Sequence, residues 1–237
     1  MMRTPKMNRK IEQMFSRIAR RYDRLNRLLS FGRDRRWRAS AVEAMDGRPV
    51  KRVLDLCCGT GDFGIEFLKR QGRGRVTFAD FSARMLTLAR GKLAKRPEWA
   101  ARSRLVAADA LHLPFPDQSF DAVVCGFGVR NISREAETLI EIKRVLKSGG
   151  RCVILEFFQP STWFSRVFYR SAGVTFIPLA GLLVSGNLGA YYYLIRSILG
   201  HMRLDEFMFL METIGFRRVE GRQIARGITG LVCGRAP

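Results

Sequence analysis

From residue 10 to residue 30 the apolar positions Ile11, Met14, Phe15, Ile18, Tyr22, Leu25, Leu28 and Leu29 recur every three or four residues. That spacing gathers them on one stripe, so the chain opens with an amphipathic helical region. From residue 50 the texture changes to short apolar runs: KRVLDLC, RVTFAD at 75–80, SRLVAAD at 103–109, FDAVVCGF at 120–127 and GRCVILEF at 150–157. Each has the length of a strand. The segments 63–70, 82–95 and 133–147 between them are predicted as helices. The last opens at Ser133 as N-cap, carries Glu135 and Glu137 near its positive end, and stops at Gly149-Gly150. A helical stripe at 203–214 precedes two closing strands around FRRVEGR and GITGLVCGR. Strands alternating with helices predict βαβ units, hence an α/β fold with a parallel sheet covered on both faces.

Residues 171–195 contain no charged side chain. Pro178 and the break Ser185-Gly186-Asn187 leave only about 13 clean apolar residues, short of the ~20 that a membrane span needs. The stretch is expected to be a buried core helix or the apolar wall of a pocket. The 237 residues suit one domain and can bury most of their surface. Charge changes the picture more: Lys and Arg outnumber Asp and Glu by 42 to 21, for a net +21, and residues 1–52 carry 16 basic and 5 acidic side chains. Such a surface attracts nucleic acid or anionic lipid, unless it is simply a solvated face. The five cysteines form no C-x-x-C and lie mostly in apolar runs, which fits a reducing cytoplasm and argues against a disulfide frame. Two histidines and no clustered carboxylates at ligand spacing predict no metal site. MMRTPKMNRK leads into a charged helix rather than a secretory h-region, so no export is expected.

Within VLDLCCGTGDFG, Gly59, Gly61 and Gly64 fit the G-x-G-x-x-G loop of dinucleotide-binding folds. Asp80, at the end of the second strand, suits a ribose diol, and Asp109, beside Ala110, could accept from an adenine amino group. Charge separates the cofactors. A dinucleotide brings an anionic pyrophosphate, whereas S-adenosyl-L-methionine brings a sulfonium and an ammonium. With Asp55 and Asp62 flanking the loop, each contact at ~4 Å is worth roughly 4 kcal/mol at an effective dielectric of about 20, against the phosphate and for the cation. The alternative is that the two acids only cap the loop and the helix.

These residues resemble the ubiquinone/menaquinone biosynthesis C-methyltransferases of the class I methyltransferase fold. MFSRIARRYDRLNRLLSFGRDRRWR is similar to the family's opening segment, LPFPDQSFDAVVCGFGVRN to its central block, LKSGGRCVILEF to its fifth strand, and the IP, SGN and AYYYL blocks to its substrate-side insertion. The resemblance implies a Rossmann-like, seven-stranded, mostly parallel sheet in a single domain spanning 1–237. Its parts would be a helical lid at 1–48, a cofactor core at 50–158, a helical insertion after strand 5 at 159–202, and a helix with a strand pair at 203–237. It also implies methyl transfer from S-adenosyl-L-methionine to a ring carbon of a prenylated hydroquinol. The CCGTGD loop looks more like menaquinone-only members, which favours demethylmenaquinol over a benzoquinol of the ubiquinone pathway.

The expected cofactor set is Asp55, Gly59, Thr60, Gly61, Asp62, Asp80, Phe81, Asp109, Ala110 and Gly126, the last standing where some relatives have Ser. Arg130, stabilising the phenolate, with Asn131 orienting the ring oxygen, and Tyr22 with Asp23 closing from the N-terminal helix, form the catalytic set. Asn187, Tyr191, Tyr192 and Tyr193 would line the quinol pocket. His112 in LHLP is a candidate base or a turn residue. The partners implied are the quinol, an anionic membrane surface on the cytoplasmic side held peripherally by the arginines at 17–38, and a second copy in a homodimer. A nucleic-acid methyltransferase is the rival. It would show an Asn/Asp-Pro-Pro-aromatic turn where this chain has Cys125-Gly126-Phe127-Gly128, and Cys125 reads as a buried thiol rather than a nucleophile.

Overall fold

A computed structural model of the chain describes residues 13, 14, 16, 19, 23, 24, 26–28, 30–45, 50–71, 73–132, 134–171 and 188–237. Seven strands build one sheet: β1 (Arg52–Leu56), β2 (Arg75–Asp80), β3 (Ser103–Ala107), β4 (Phe120–Gly126), β5 (Leu146–Glu156), β6 (Arg217–Ile224) and β7 (Thr229–Arg235). Their order is β3-β2-β1-β4-β5-β7-β6, with β7 antiparallel to both neighbours and the pairs among β1–β5 parallel. The apolar runs are continuous because both faces are covered. Alternate β4 residues separate into two cores: Val123 and Cys125 pack with Leu54, Ile142 and Phe207, while Ala122 and Val124 pack with Val53, Phe67 and Phe78.

The helices supplying those cores are α1 (Asp34–Glu43), α2 (Asp62–Arg70), α3 (Ala83–Leu93), the short α4 (Pro97–Ala100), α5 (Glu135–Val145), α6 (Trp163–Arg170), α7 (Leu188–Leu199) and α8 (Leu204–Ile214). α1, α2 and α3 cover one face; α5 and α8 cover the other. Upstream of α1, residues 13, 14, 16, 19, 23, 24 and 26–28 are helical, and Ala19 is buried. Leu28, assigned to the apolar stripe, is instead 48% exposed, and Phe31 beyond it is 76% exposed. Among the described residues no helix is long and apolar enough to cross a membrane.

Two boundaries differ from expectation. The helix predicted to run to Gly149-Gly150 ends at Val145, and both glycines lie inside β5. There the register with β4 shifts, from Phe120 opposite Leu146 to Ala122 opposite Arg151. A Cβ at Gly150 would stand 2.7 Å from the Lys147 carbonyl oxygen, so the glycine marks a bulge rather than a helix stop. β3 ends at Ala107, which leaves Asp109 in the turn that follows. Ser133, Tyr22 and Asn187 lie outside the described residues, as does most of the uncharged stretch 171–195.

Candidate active site

The carboxyl ends of β1, β2 and β4 open onto one cavity of about 200 Å³. This is where an open α/β sheet offers a ligand crevice. The turn after β1 is tightly curled: Cys57, Gly59 and Gly61 all have left-handed φ, at 54°, 56° and 84°. Cys57 bears that conformation with a side chain, a local strain retained at the cavity wall. Gly61 starts α2 as its N-cap, and Gly64 is required because a Cβ there would lie 2.4 Å from the Phe78 ring.

Asp80 ties this turn to the next strand. Its Oδ2 accepts the Gly59 N–H and its Oδ1 accepts the Ser82 N–H, both at 2.8 Å. Burial pushes its carboxyl above the ordinary range, while those two N–H groups pull it back. Each oxygen retains a second lone-pair direction. In the turn after β3, Asp109 Oδ1 accepts the Leu111 N–H at 3.0 Å. After β4 comes a glycine-flanked corner. A Cβ at Gly126 would stand 2.8 Å from the Phe63 ring, and one at Gly128 would stand 2.5 Å from Cys57 Cβ. Serine at 126 therefore requires Phe63 to move. Phe127, with φ of 60°, packs on Phe157 and Trp37 at centroid distances of 4.6 and 6.3 Å.

Of the residues expected at the site, Gly59, Asp80, Phe81, Asp109, Ala110, Gly126 and Asn131 line the cavity. Asp55, Thr60, Gly61, Asp62 and Arg130 do not. Asp55 is 1% exposed and points into the start of α2, where its Oδ2 accepts the Gly64 N–H at 2.8 Å. Its other oxygen is buried and has no hydrogen-bond partner among the described residues. Burial raises its pKa to about 7 against the pull of that N–H and of Arg38. Asp62 bonds Lys92 Nζ at 2.5 Å. Burial works to raise its pKa, but Lys92 and the more distant Arg38 hold the carboxyl below its usual range. The charge argument built on Asp55 and Asp62 is corrected accordingly: one is capped and partly protonated near neutrality, the other neutralised. Its sign survives on other residues. Among the described residues Asp80 and Asp109 line the cavity and no Lys or Arg does, so a cation is favoured there over a pyrophosphate.

Thr60 belongs to a polar cluster instead. Its hydroxyl donates to Asp23 Oδ1 at 2.6 Å and accepts from Lys92 Nζ at 2.8 Å, and Lys92 also reaches Asp23 Oδ2 at 2.6 Å. With the Ser16–Ser82 hydroxyl contact at 3.1 Å, the cluster fastens the N-terminal helix to the cavity rim. No sequence spacing signals a triad drawn from three separate segments.

Arg130 is 5% exposed, with Nη1 on Glu156 Oε1 at 2.6 Å and on the Phe127 carbonyl at 2.7 Å. Glu156, fully buried, also accepts the backbone N–H groups of Arg130 and Phe157, at 3.2 and 2.8 Å. Its signal was available: a lone carboxylate at the end of the apolar run CVILE must find a cation or donors. Asn131 is oriented from both ends, donating from Nδ2 to the Phe127 carbonyl at 3.2 Å and accepting the Tyr193 hydroxyl at Oδ1, 2.9 Å away. Tyr192 is 54% exposed on α7, of Tyr191 only the helical backbone is described, and His112 is exposed and off the cavity. A hydrogen bond with Cys57 and burial push the Cys125 thiol far up, so it is no nucleophile.

The cavity fits S-adenosyl-L-methionine on two counts. Among the described residues, no atom beyond its chain neighbours lies within 4 Å of where a Gly59 Cβ would stand, which leaves room for a ligand against the backbone, and the charged lining groups are both acids. In solved structures the fold is similar to an S-adenosylmethionine-dependent methyltransferase of Thermotoga maritima, with a TM-score of 0.68 at 18% identity over 95% of this chain and 99% of that one. Sequence relatives reach further. The chain is 43% identical to a demethylmenaquinone methyltransferase of Deinococcus radiodurans, over 94% of this chain and 91% of the relative. It is 41% identical to the ubiquinone/menaquinone biosynthesis C-methyltransferase of Geobacter sulfurreducens, over 99% and 91%. The model of the ubiE/COQ5 methyltransferase family matches residues 3–235, so the strand ends, the acid-lined cavity and the flanking helices all fall within the match, and the chain belongs to that family.

Proposed function

We propose that the protein methylates a ring carbon of a prenylated hydroquinol, with demethylmenaquinol as acceptor and S-adenosyl-L-methionine as donor. The observation that carries this reading is a cavity whose described lining holds two acids and no cation, in a chain over 40% identical along nearly its whole length to a demethylmenaquinone methyltransferase and a ubiquinone/menaquinone biosynthesis C-methyltransferase. Asp80 would hold the ribose hydroxyls, and Asp109 with Ala110 the adenine edge. When bound, the donor supplies an electrophilic methyl on a sulfonium. The chain's task is then to hold an electron-rich ring in line and to favour loss of a phenolic proton whose ordinary pKa is ~10. Asn131, locked by Tyr193 and the Phe127 carbonyl, presents its amide to the ring oxygen. Arg130 acts as a positioning residue that sets the Phe127–Asn131 turn through Glu156.

The quinol acceptor resides in a bilayer, so we assign the protein to peripheral attachment at the cytoplasmic face, drawn there by exposed Arg33, Arg35 and Arg36. Arg38, in the same basic run, is excluded from that surface because it is 8% exposed and bonded to Asp34 at 2.5 Å. The deciding experiment is a methyl-transfer assay with demethylmenaquinol, a demethylated benzoquinol and bulk RNA. Methylation of RNA alone would reject the proposal.

Replacing Asp80 by Ala is expected to weaken cofactor binding about 10- to 100-fold, the equivalent of roughly 1.5–3 kcal/mol for charge-assisted bonds. Calorimetry with the demethylated cofactor measures it. An unchanged affinity removes Asp80 from the ribose site.

A further inference from the structure

We propose that the outer face of α6 is the element that enters the lipid surface. This rests on the peripheral attachment above and adds the side chains that make the contact. α6 has two unlike sides. Ser165 and Tyr169, one turn apart, are at most 2% exposed and face inward. Trp163 and Val167, also one turn apart, are 79% and 44% exposed, with Arg166 exposed between them. The helix is a built element: Thr162 caps it, accepting the Ser165 N–H at 3.1 Å.

A surface helix ordinarily turns its polar side to water. This one presents an indole and a valine with an arginine at the same level. That composition suits the boundary between headgroups and acyl chains, where an amphipathic ring settles and an arginine stem can lie on apolar surface with its charge in the headgroups. The occupant is an anionic lipid surface, because the chain carries net +21 and two further exposed apolar side chains, Leu28 and Phe31, adjoin exposed arginines.

The test uses the whole protein with vesicles of phosphatidylcholine and phosphatidylglycerol, some carrying brominated acyl chains, and reads tryptophan emission against the Trp163→Phe variant. Emission from Trp163 is expected to shift to the blue and to be quenched by the bromines. Replacing Trp163 and Val167 together by Ser should lower vesicle affinity at least about tenfold, the equivalent of about 1.4 kcal/mol, while activity on a short-tailed soluble quinol persists. Changing Arg33, Arg35 and Arg36 to Gln should remove the salt-sensitive part of binding and leave quenching in the fraction still bound. Vesicle binding with Trp163 unquenched and the double variant unimpaired overturns the role of α6 and leaves peripheral attachment standing. Indifference of the unaltered protein to vesicles overturns both. A Trp163 shift that follows protein concentration without lipid assigns the face to a second copy of the chain and also overturns the proposal.

Discussion

Replacing Glu156 by Ala is expected to lower folding stability by about 3–5 kcal/mol, because it removes the carboxylate that pairs with the guanidinium of Arg130, a residue only 5% exposed. Two backbone donors, the N–H groups of Arg130 and Phe157, lose their acceptor at the same time. Urea unfolding measures the loss. Glu156→Gln keeps acceptors but not the charge and should fall in between. The pair Arg130→Met with Glu156→Leu should recover most of the stability, since two apolar side chains leave no orphan charge. Turnover separates structure from chemistry: if the ion pair positions the corner, the stable double variant remains slow with cofactor affinity nearly intact. A loss below about 1 kcal/mol for Glu156→Ala would mean that the pair does not hold the corner.

Stability is also expected to fall as pH rises from about 4 to 8, with Asp55 as a principal cause. Its folded pKa, about 7, lies above the ordinary 3.8, so the native state holds a proton that the unfolded chain has released. In that window the folded form binds more protons, and unfolding becomes easier with each increment of pH. A rise of this size corresponds to about 4 kcal/mol, fully expressed above pH 7 and absent below 3.8. Asp80, raised in the same direction, adds to the slope. Asp55→Asn should flatten the profile, although its amide must occupy the place of an oxygen that has no partner among the described residues. Unfolding measured at pH 5 and pH 8 on both proteins decides it; equal slopes would mean that Asp55 is ionised throughout.

The strands around the cavity were legible because each is a short apolar run closed by polar residues, and Asp80 and Asp109 were legible as acids just past such runs. Which way a loop side chain turns was not. Asp55 sits one residue before the end of β1 and Asp80 ends β2, yet one caps α2 from inside, on the Gly64 N–H, and the other faces the cavity, held by the N–H groups of Gly59 and Ser82. Arg130 and Asn131 are adjacent, but the 3-10 turn at Val129–Asn131 sends the guanidinium to Glu156 and leaves the amide at the cavity. The glycine pair at 149–150 misled because a bulge inside a strand and the end of a helix call for the same residue.

The place of β7 between β5 and β6 bears on how the chain is made. Synthesis delivers β1 to β5 first, yet the free edge of β5 finds its partner only when residues 229–235 emerge. At about 5–20 residues per second, the roughly 70 intervening residues take several seconds. Throughout that interval Val153, Ile154 and Leu155, fully buried in the finished sheet, sit on a strand edge open to any other extended chain. The nascent protein thus carries an open, apolar strand edge next to β4, whose carboxyl end borders the cofactor cavity. A ribosome stalled after β6 would display a nearly complete methyltransferase whose sheet cannot close.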